Sequence, residues 1–313
     1  MKLLKKILSL RNALIVALLL LVAQLIAKFW LGLGAIPVYL ESETYEYMYA
    51  PNQDLYRFGN HVVTNSFGMR SPEPETGDVV RILKIGDSVI NGGPHVDQDN
   101  LSSTILKKEL QKVFHQKIGV YNISAQSWGP DNAFAFIKKH GHFNAGIFML
   151  VFSSHDLHDN MHFKKVVGTH KAWPDVQPLC ALTDAWSRYT WPKIKSLFGS
   201  ESEEYDYLYG FDDSKRNPGW EQFFQYCNKN KIKLLVYVHA TKSELKNQSY
   251  DKYGMDLLTL LDSNKVKYIK GIECIKDPAA YRDEIHLNAK GHDLLAKTLF
   301  PYLKTQVYEL LPK

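Results

Sequence analysis

Cysteine is scarce and scattered. The three in 313 residues, Cys180, Cys227 and Cys274, form no CxxC pair and no Cys/His spacing of a zinc site, so no structural metal is implied. An odd count leaves at most one intrachain disulfide, Cys227 with Cys274 or Cys180, against the ordinary alternative of a buried free thiol. An excess of one charge is also missing. Lys and Arg number 38 against 33 Asp and Glu, a formal +5, and beyond residue 12 the lysines are spread out, so nucleic acid is not an expected partner. Internal repeats and low-complexity tracts are absent. What is present, 45% hydrophobic and 23% charged residues, suffices for a folded globular domain with a sizeable core.

The one long apolar run lies at the N-terminus. Lys2, Lys5, Lys6 and Arg11 precede an apolar stretch at 13–27 that carries no charge, and after Lys28 the apolar character resumes at Phe29. Roughly 20 residues cross a bilayer, a length reached by 11–33 if Lys28 snorkels to the far headgroups beside Trp30. The basic flank places the remainder outside the cytoplasm. A cleaved signal peptide is the competing reading, but no small-x-small site follows the run and no cysteine stands near it for lipidation. The lack of a polar face argues against a buried helix of a soluble protein.

From 37 to about 79 the chain is rich in Tyr, Asn, Pro and Gly and reads as an irregular or strand-containing lead-in. Apolar strand-like runs then recur at 80–85, 118–123, 146–152, 233–238 and 266–269, separated by helical patterns. At 100–114, Leu101, Ile105, Leu106, Leu110 and Val113 fall at helical spacing with lysines opposite, and 288–303 repeats the pattern with Leu294, Leu295, Leu299 and Tyr302. Apolar strands alternating with helices imply a parallel sheet covered on both faces. The alternation lapses at about 160–217, a stretch too long for an ordinary connection. It carries Trp173, Trp186, Tyr189, Trp191, Tyr205, Tyr207 and Tyr209 and is expected to lie over one end of the sheet.

Two short stretches carry chemistry. The first strand runs into Ile85-Gly86-Asp87-Ser88-Val89, which puts a hydroxyl at the carboxyl edge of a parallel sheet, where ligands bind in open α/β folds. Alone, that string equally describes a helix-capping turn, and it is not the Gly-x-Ser-x-Gly elbow of α/β-hydrolases. The second is Asp283-Glu-Ile-His286, just before the last helix. Residues three apart on a tight turn can face each other, so Asp283 can hold one imidazole nitrogen while the other faces a serine hydroxyl. Taken singly, the turn reads equally as a cap for the terminal helix beside a surface histidine. His155, His158 and His162 with Asp156 and Asp159 have metal-like spacing, but no metal or other cofactor is expected.

Together, Gly86-Asp87-Ser88 after the first sheet strand and Asp-x-x-His before the C-terminal helix resemble the first and last blocks of the SGNH (GDSL-type) hydrolases. The resemblance covers about 80–300, and 65–70 is similar to the lead-in of membrane-anchored bacterial members. It implies a flavodoxin-like three-layer α/β/α sandwich at 80–313, behind an anchor at 1–36 and a lead-in at 37–79. It also implies Ser88 as nucleophile, His286 as general base and Asp283 as its orienter. Two blocks depart from the family pattern. Ser127 stands where an oxyanion-hole glycine aligns, a tolerable change because a serine amide still donates. His155 stands where an asparagine side chain normally donates, and losing one such donor typically costs about 3 kcal/mol of transition-state stabilisation. Alignment with the asparagine position is the economical account of His155.

The expected activity is a two-step acyl transfer through an acyl-enzyme, with the Ser88 and Ser127 amides and His155 around the oxyanion. The resemblance makes an O-acetylated extracytoplasmic glycan a plausible substrate, with lipid or small esters open. O-acyl transfer onto a polysaccharide through the same triad is the alternative, and an inactive glycan-binding member a third. The insertion's aromatics fit either sugar stacking or lid packing.

Overall fold

The structure is a computed structural model that describes residues 2–197 and 211–311. Helix α1 (Lys2–Phe29) contains, at Ser9–Phe29, a segment long and apolar enough to cross a membrane. The lead-in forms two antiparallel hairpins, β1 (Tyr39–Ser42) with β2 (Glu46–Tyr49), and β3 (Asp54–Arg57) with β4 (Asn60–Val63).

The elements that follow alternate as their periodicities require. They are β5 (Val80–Gly86), α2 (Ser88–Asn91), α3 (Ser102–Phe114), β6 (Ile118–Ser124), α4 (Pro130–His140) and β7 (Ile147–Ser153). Within the insertion lie α5 (Ala181–Ala185), a π-helical stretch Trp186–Thr190, and α6 (Trp191–Leu197). Then come α7 (Gly219–Asn230), β8 (Lys233–His239), α8 (Lys242–Asn247), α9 (Lys252–Ser263), β9 (Lys267–Lys270), α10 (Gly271–Cys274) and α11 (Ala289–Leu310).

All five expected strands form one parallel sheet in the order β6-β5-β7-β8-β9. Every residue of β6 and β7 is buried, as strands covered on both faces must be. Their side chains divide by parity. Leu83, Ile85, Phe148, Leu150, Val236 and Val238 join one core, with Phe136, Phe223 and Leu257 from α4, α7 and α9. Ile82, Ile147, Met149, Val151, Leu235 and Tyr237 join the other, with Leu106 and Leu110 from α3 and Leu295, Leu299 and Leu303 from α11. The result is a three-layer α/β/α fold. The three cysteines are free, and Cys227 belongs to the first core.

This strand order positions the site. Strand β5 lies between β6 and β7, with Gly86 opposite both Ser124 and Val151. The loops that leave these three strands therefore share one edge of the sheet.

Candidate active site

Strand β5 ends at Gly86, where a Cβ would come within 2.3 Å of the Val151 carbonyl oxygen; only glycine lets the chain pass so close to β7. The next residue, Asp87, caps α2 by accepting from the Val89 N–H at 2.9 Å. That cap sets Ser88 at the first helical position, half-buried. Four residues on, Gly92 adopts φ 72° and its N–H reaches the Ser88 carbonyl, closing the helix after one turn. The cap that the sequence offers as an ordinary turn feature thus also fixes where the serine hydroxyl points.

The facing turn is built from the other end of the chain. Tyr281 and Leu287 form an isolated antiparallel bridge, and the Arg282 N–H donates to the His286 carbonyl at 2.8 Å. Within it the Asp283 carboxylate accepts from the N–H groups of Ile285 at 3.1 Å and His286 at 2.8 Å, and from His286 Nδ1 at 2.9 Å. A carboxylate only accepts, so Nδ1 carries the ring proton. Nε2 is left with its lone pair, and it lies 3.0 Å from Ser88 Oγ. Residues 198 apart in sequence therefore meet at hydrogen-bonding distance.

Groups outside both motifs hold this turn. His239, the last residue of β8, donates through Nε2 to the Ile285 carbonyl at 2.8 Å, and the Tyr281 hydroxyl donates to the Ala240 carbonyl at 2.7 Å. Glu284 accepts from the N–H groups of Lys242 and Ser243. His239 is fully buried and burial holds its pKa down at about 4, so it stays neutral. Sequence reasoning missed it. Its signal, a polar residue closing an apolar strand, is visible only once the strand end is known. Arg70, in the lead-in, was also unassigned. It is buried and donates to the carbonyls of Asn91, Gly93, Val96 and His61, fastening the β3–β4 region to the segment after Ser88.

Electrostatics suit a base. Burial lowers the His286 pKa below its ordinary value, only partly opposed by the Asp283 charge, so the ring is neutral at pH 7. Burial acts to raise the Asp283 carboxyl, but its bonds to the backbone and ring of His286 outweigh this and hold it well below the usual range. Its charge is fixed. Arg282 adds an ion pair to Asp283 at 3.0 Å.

Ser88, Asp283 and His286 open into a cleft of about 390 Å³. Tyr39, Arg57 and His95 contribute walls from the lead-in and the segment after α2, while Ala172, Pro174, Arg188 and Tyr189 come from the insertion. Described residues of the insertion thus border the cleft that holds Ser88. Its aromatics divide, however. Trp173 is buried against Tyr47 as packing, Tyr189 lines the cleft, and Trp186 stacks on Trp191 at the surface; Tyr205, Tyr207 and Tyr209 lie outside the described residues.

Ser127 and His155 sit on the loops after β6 and β7, flanking the end of β5. Ser127 has φ 53°, the left-handed conformation that favours glycine. His155 is the second residue of the short 3₁₀ turn Ser154–Leu157, with its Nε2 3.7 Å from Asp156 Oδ1. Among the described residues neither shares a hydrogen bond with Ser88; His286 does, and Asp283 reaches Ser88 only through His286.

The metal-like spacing of the histidines does not become one cluster. His158 Nδ1 pairs with the Lys215 carbonyl and His162 faces Glu46 at 3.5 Å. Local spacing misgroups them because the chain turns between each pair. Among the described residues the ligand-type atoms that converge, within 4.8 Å, are those of Asp87, His155 and Asp156. Burial pushes the carboxyls of Asp87, Asp156 and nearby Asp159 up to about 8, each further raised by its acidic neighbours. Asp156 Oδ1 and Asp159 Oδ2 have no hydrogen-bond partner, and burial together with mutual repulsion favours the protonated acids.

A stability prediction follows for Asp156. The unfolded carboxyl titrates near 3.9, so between roughly pH 4 and pH 8 the folded chain holds a proton that the unfolded chain has released. Folding stability must decline across that window. Asp156→Asn mimics the protonated form, and its thermal midpoint is expected to exceed the parent's at pH 8.5, with the gap closing toward pH 5. A variant equally destabilised at both pH values contradicts the assignment.

No protein-family model and no curated protein matches this sequence. Among solved structures, the fold matches lipolytic hydrolases of the G-D-S-L type over about 72% of the chain. A lipase/acylhydrolase from Enterococcus faecalis is similar at 10% identity over 72% of this chain and 96% of that one, TM-score 0.44. An acetyl xylan esterase, AlAXEase, is similar at 13% over 72% and 100%, TM-score 0.43. A member of the lipolytic G-D-S-L family from Veillonella parvula DSM 2008 gives 12% over 71% and 97%, TM-score 0.39.

Proposed function

We propose that this chain is a serine esterase of the SGNH type, held on the outer face of a membrane by α1, that cleaves O-acyl and chiefly O-acetyl groups from an extracytoplasmic glycan. The observation that carries the reading is the imidazole of His286, with Asp283 on one nitrogen at 2.9 Å and the Ser88 hydroxyl on the other at 3.0 Å. A serine hydroxyl is a weak nucleophile until a neighbouring base takes its proton. Here His286 Nε2 receives that proton as Oγ bonds to the ester carbonyl carbon. The proton then passes to the leaving alcohol as the C–O bond breaks, leaving an acyl-Ser88. Water, deprotonated by the same nitrogen, attacks the acyl carbon, and that proton passes to Oγ as the acyl–Oγ bond breaks, freeing the carboxylic acid and restoring the Ser88 hydroxyl.

The oxyanion is assigned to the Ser88 and Ser127 amides and the His155 ring, which come from the three loops that share this edge of the sheet. A glycan substrate is supported by the exposed ring of Tyr189 in the cleft wall, a flat face of the kind that stacks on sugars, whereas Tyr39 and Tyr49 behind it are buried against each other. Retention of α1 is supported by its outer end being part of the fold, with Ala27 and Leu33 buried against Ala181.

The pH dependence tests the role of His286. Because its pKa is depressed, kcat/KM for an aryl acetate, measured on the full chain in detergent, is expected to be flat through neutrality and to fall only on the acid side of pH 6.5, the ordinary histidine value. A profile that loses activity as pH rises from 6 to 7 contradicts a neutral base.

A further inference from the structure

We propose that the insertion, from residue 176 to 197, is a second membrane contact, lying in the outer interface of a phospholipid bilayer beside α1 and holding the Ser88 cleft at the lipid surface. The inference rests on α1 being a retained anchor and is independent of the chemistry at Ser88.

The first observation is where the insertion is fastened. Gln24 is the single polar residue of the apolar run 13–27, and its Oε1 accepts from the Leu182 N–H at 3.0 Å. Two more bonds secure the same turn: the Gly34 N–H donates to Asp184 Oδ2 at 2.9 Å, and Arg57 pairs with that carboxylate at 2.8 Å. At 1.5 Å per residue, Gln24 lies only about 8 Å below Phe29 along the helix. The start of α5 therefore sits beside the last turns of the spanning segment. An unpaired amide in hydrocarbon is costly, and the Leu182 N–H, an otherwise unsatisfied donor at a helix start, answers it.

The second observation is what the segment leaves uncovered. Val176, Leu179, Trp186, Trp191 and Leu197 are 68%, 92%, 54%, 44% and 83% exposed. Large apolar side chains so concentrated on one short segment mark a contact surface rather than a water-facing one. The chemistry fits a bilayer interface: tryptophans gather at headgroup level, and Lys193, exposed on α6, can reach a phosphate while its stem stays in the apolar layer. Phe29 and Trp30, at the end of α1, are exposed at 76% and 81%, and Leu20 of α1 lines one cavity with Val176 and Trp186 of the insertion. Arg188 and Tyr189 belong to the same segment and also line the Ser88 cleft. Seating the segment in lipid thus fixes the cleft within reach of esters carried at the membrane surface.

The test is tryptophan emission from the full chain in phosphatidylcholine nanodiscs, with and without lipid brominated near the carbonyl end of its acyl chains. Trp128, Trp173 and Trp220 are buried in the domain and serve as the unquenched background. Trp186→Phe with Trp191→Phe is expected to reduce the quenched emission roughly threefold, because one interfacial tryptophan of three, Trp30, remains. Quenching unchanged by the double variant but removed by Trp30→Phe overturns the proposal and leaves the anchor standing. Quenching unaffected by Trp30→Phe and by the double variant alike overturns the anchor reading and the proposal with it. Neither outcome depends on turnover at Ser88.

Discussion

Ser88→Ala is expected to lower kcat for an aryl acetate by about four orders of magnitude or more, with the folded state unchanged by circular dichroism. The hydroxyl stands at the first position of a one-turn helix and is half-buried, and the cap that orients it comes from Asp87 rather than from Ser88 itself. Alanine is a good helix former at that position, so the change removes the nucleophile and little else. What residual rate remains over water measures the oxyanion donors and substrate positioning. Turnover within tenfold of the parent contradicts Ser88 as the nucleophile.

The second large effect is expected at Asp283→Asn, a loss of about two to four orders in kcat with KM little altered. Asparagine keeps one oxygen for the N–H groups of Ile285 and His286, so the turn survives. Its amide nitrogen, however, is a donor. Facing the imidazole, it favours the tautomer with the proton on Nε2, and that proton then points at a hydroxyl that must itself donate. The partly exposed setting of Asp283 sets the lower end of the range, since water can rescue part of the orientation. Steady-state kinetics over a range of substrate concentrations separate this from a binding defect: an unchanged kcat with raised KM contradicts an orienting role.

Much of this architecture is legible in the residues because burial on both faces forces strands such as β6 and β7 to read as continuous apolar runs. The boundaries also carry their own chemistry. Asn288 caps α11 by accepting from Gly291, and Asp87 caps α2. The meeting of Ser88 with His286 is different in kind. No local periodicity brings together groups so far apart, and it was reached through the resemblance of two motifs, each weak alone. What stayed hidden are groups defined by topology. Lys84 sits inside an apolar strand, yet it is wholly buried against the Ser102 hydroxyl, and burial drops its pKa to about 7. Asp87, Asp156 and Asp159 become a buried acid cluster only when β5 and β7 lie side by side. His239 becomes a support for the Asp283–His286 turn only when β8 ends beneath it. The insertion was legible as an interruption of the pattern, but which aromatics pack, line the cleft or face outward depends on how 160–197 folds over the sheet.

The central claim is a nucleophilic hydroxyl activated by an oriented imidazole, and covalent capture addresses it without knowledge of the natural ester. Full-length protein in detergent is treated with a fluorophosphonate, digested, and the adduct located by tandem mass spectrometry. The expected result is a single adduct on the peptide containing Ser88, lost in His286→Ala. Absence of labelling at Ser88 in folded protein, or labelling that persists undiminished without the imidazole, contradicts the account.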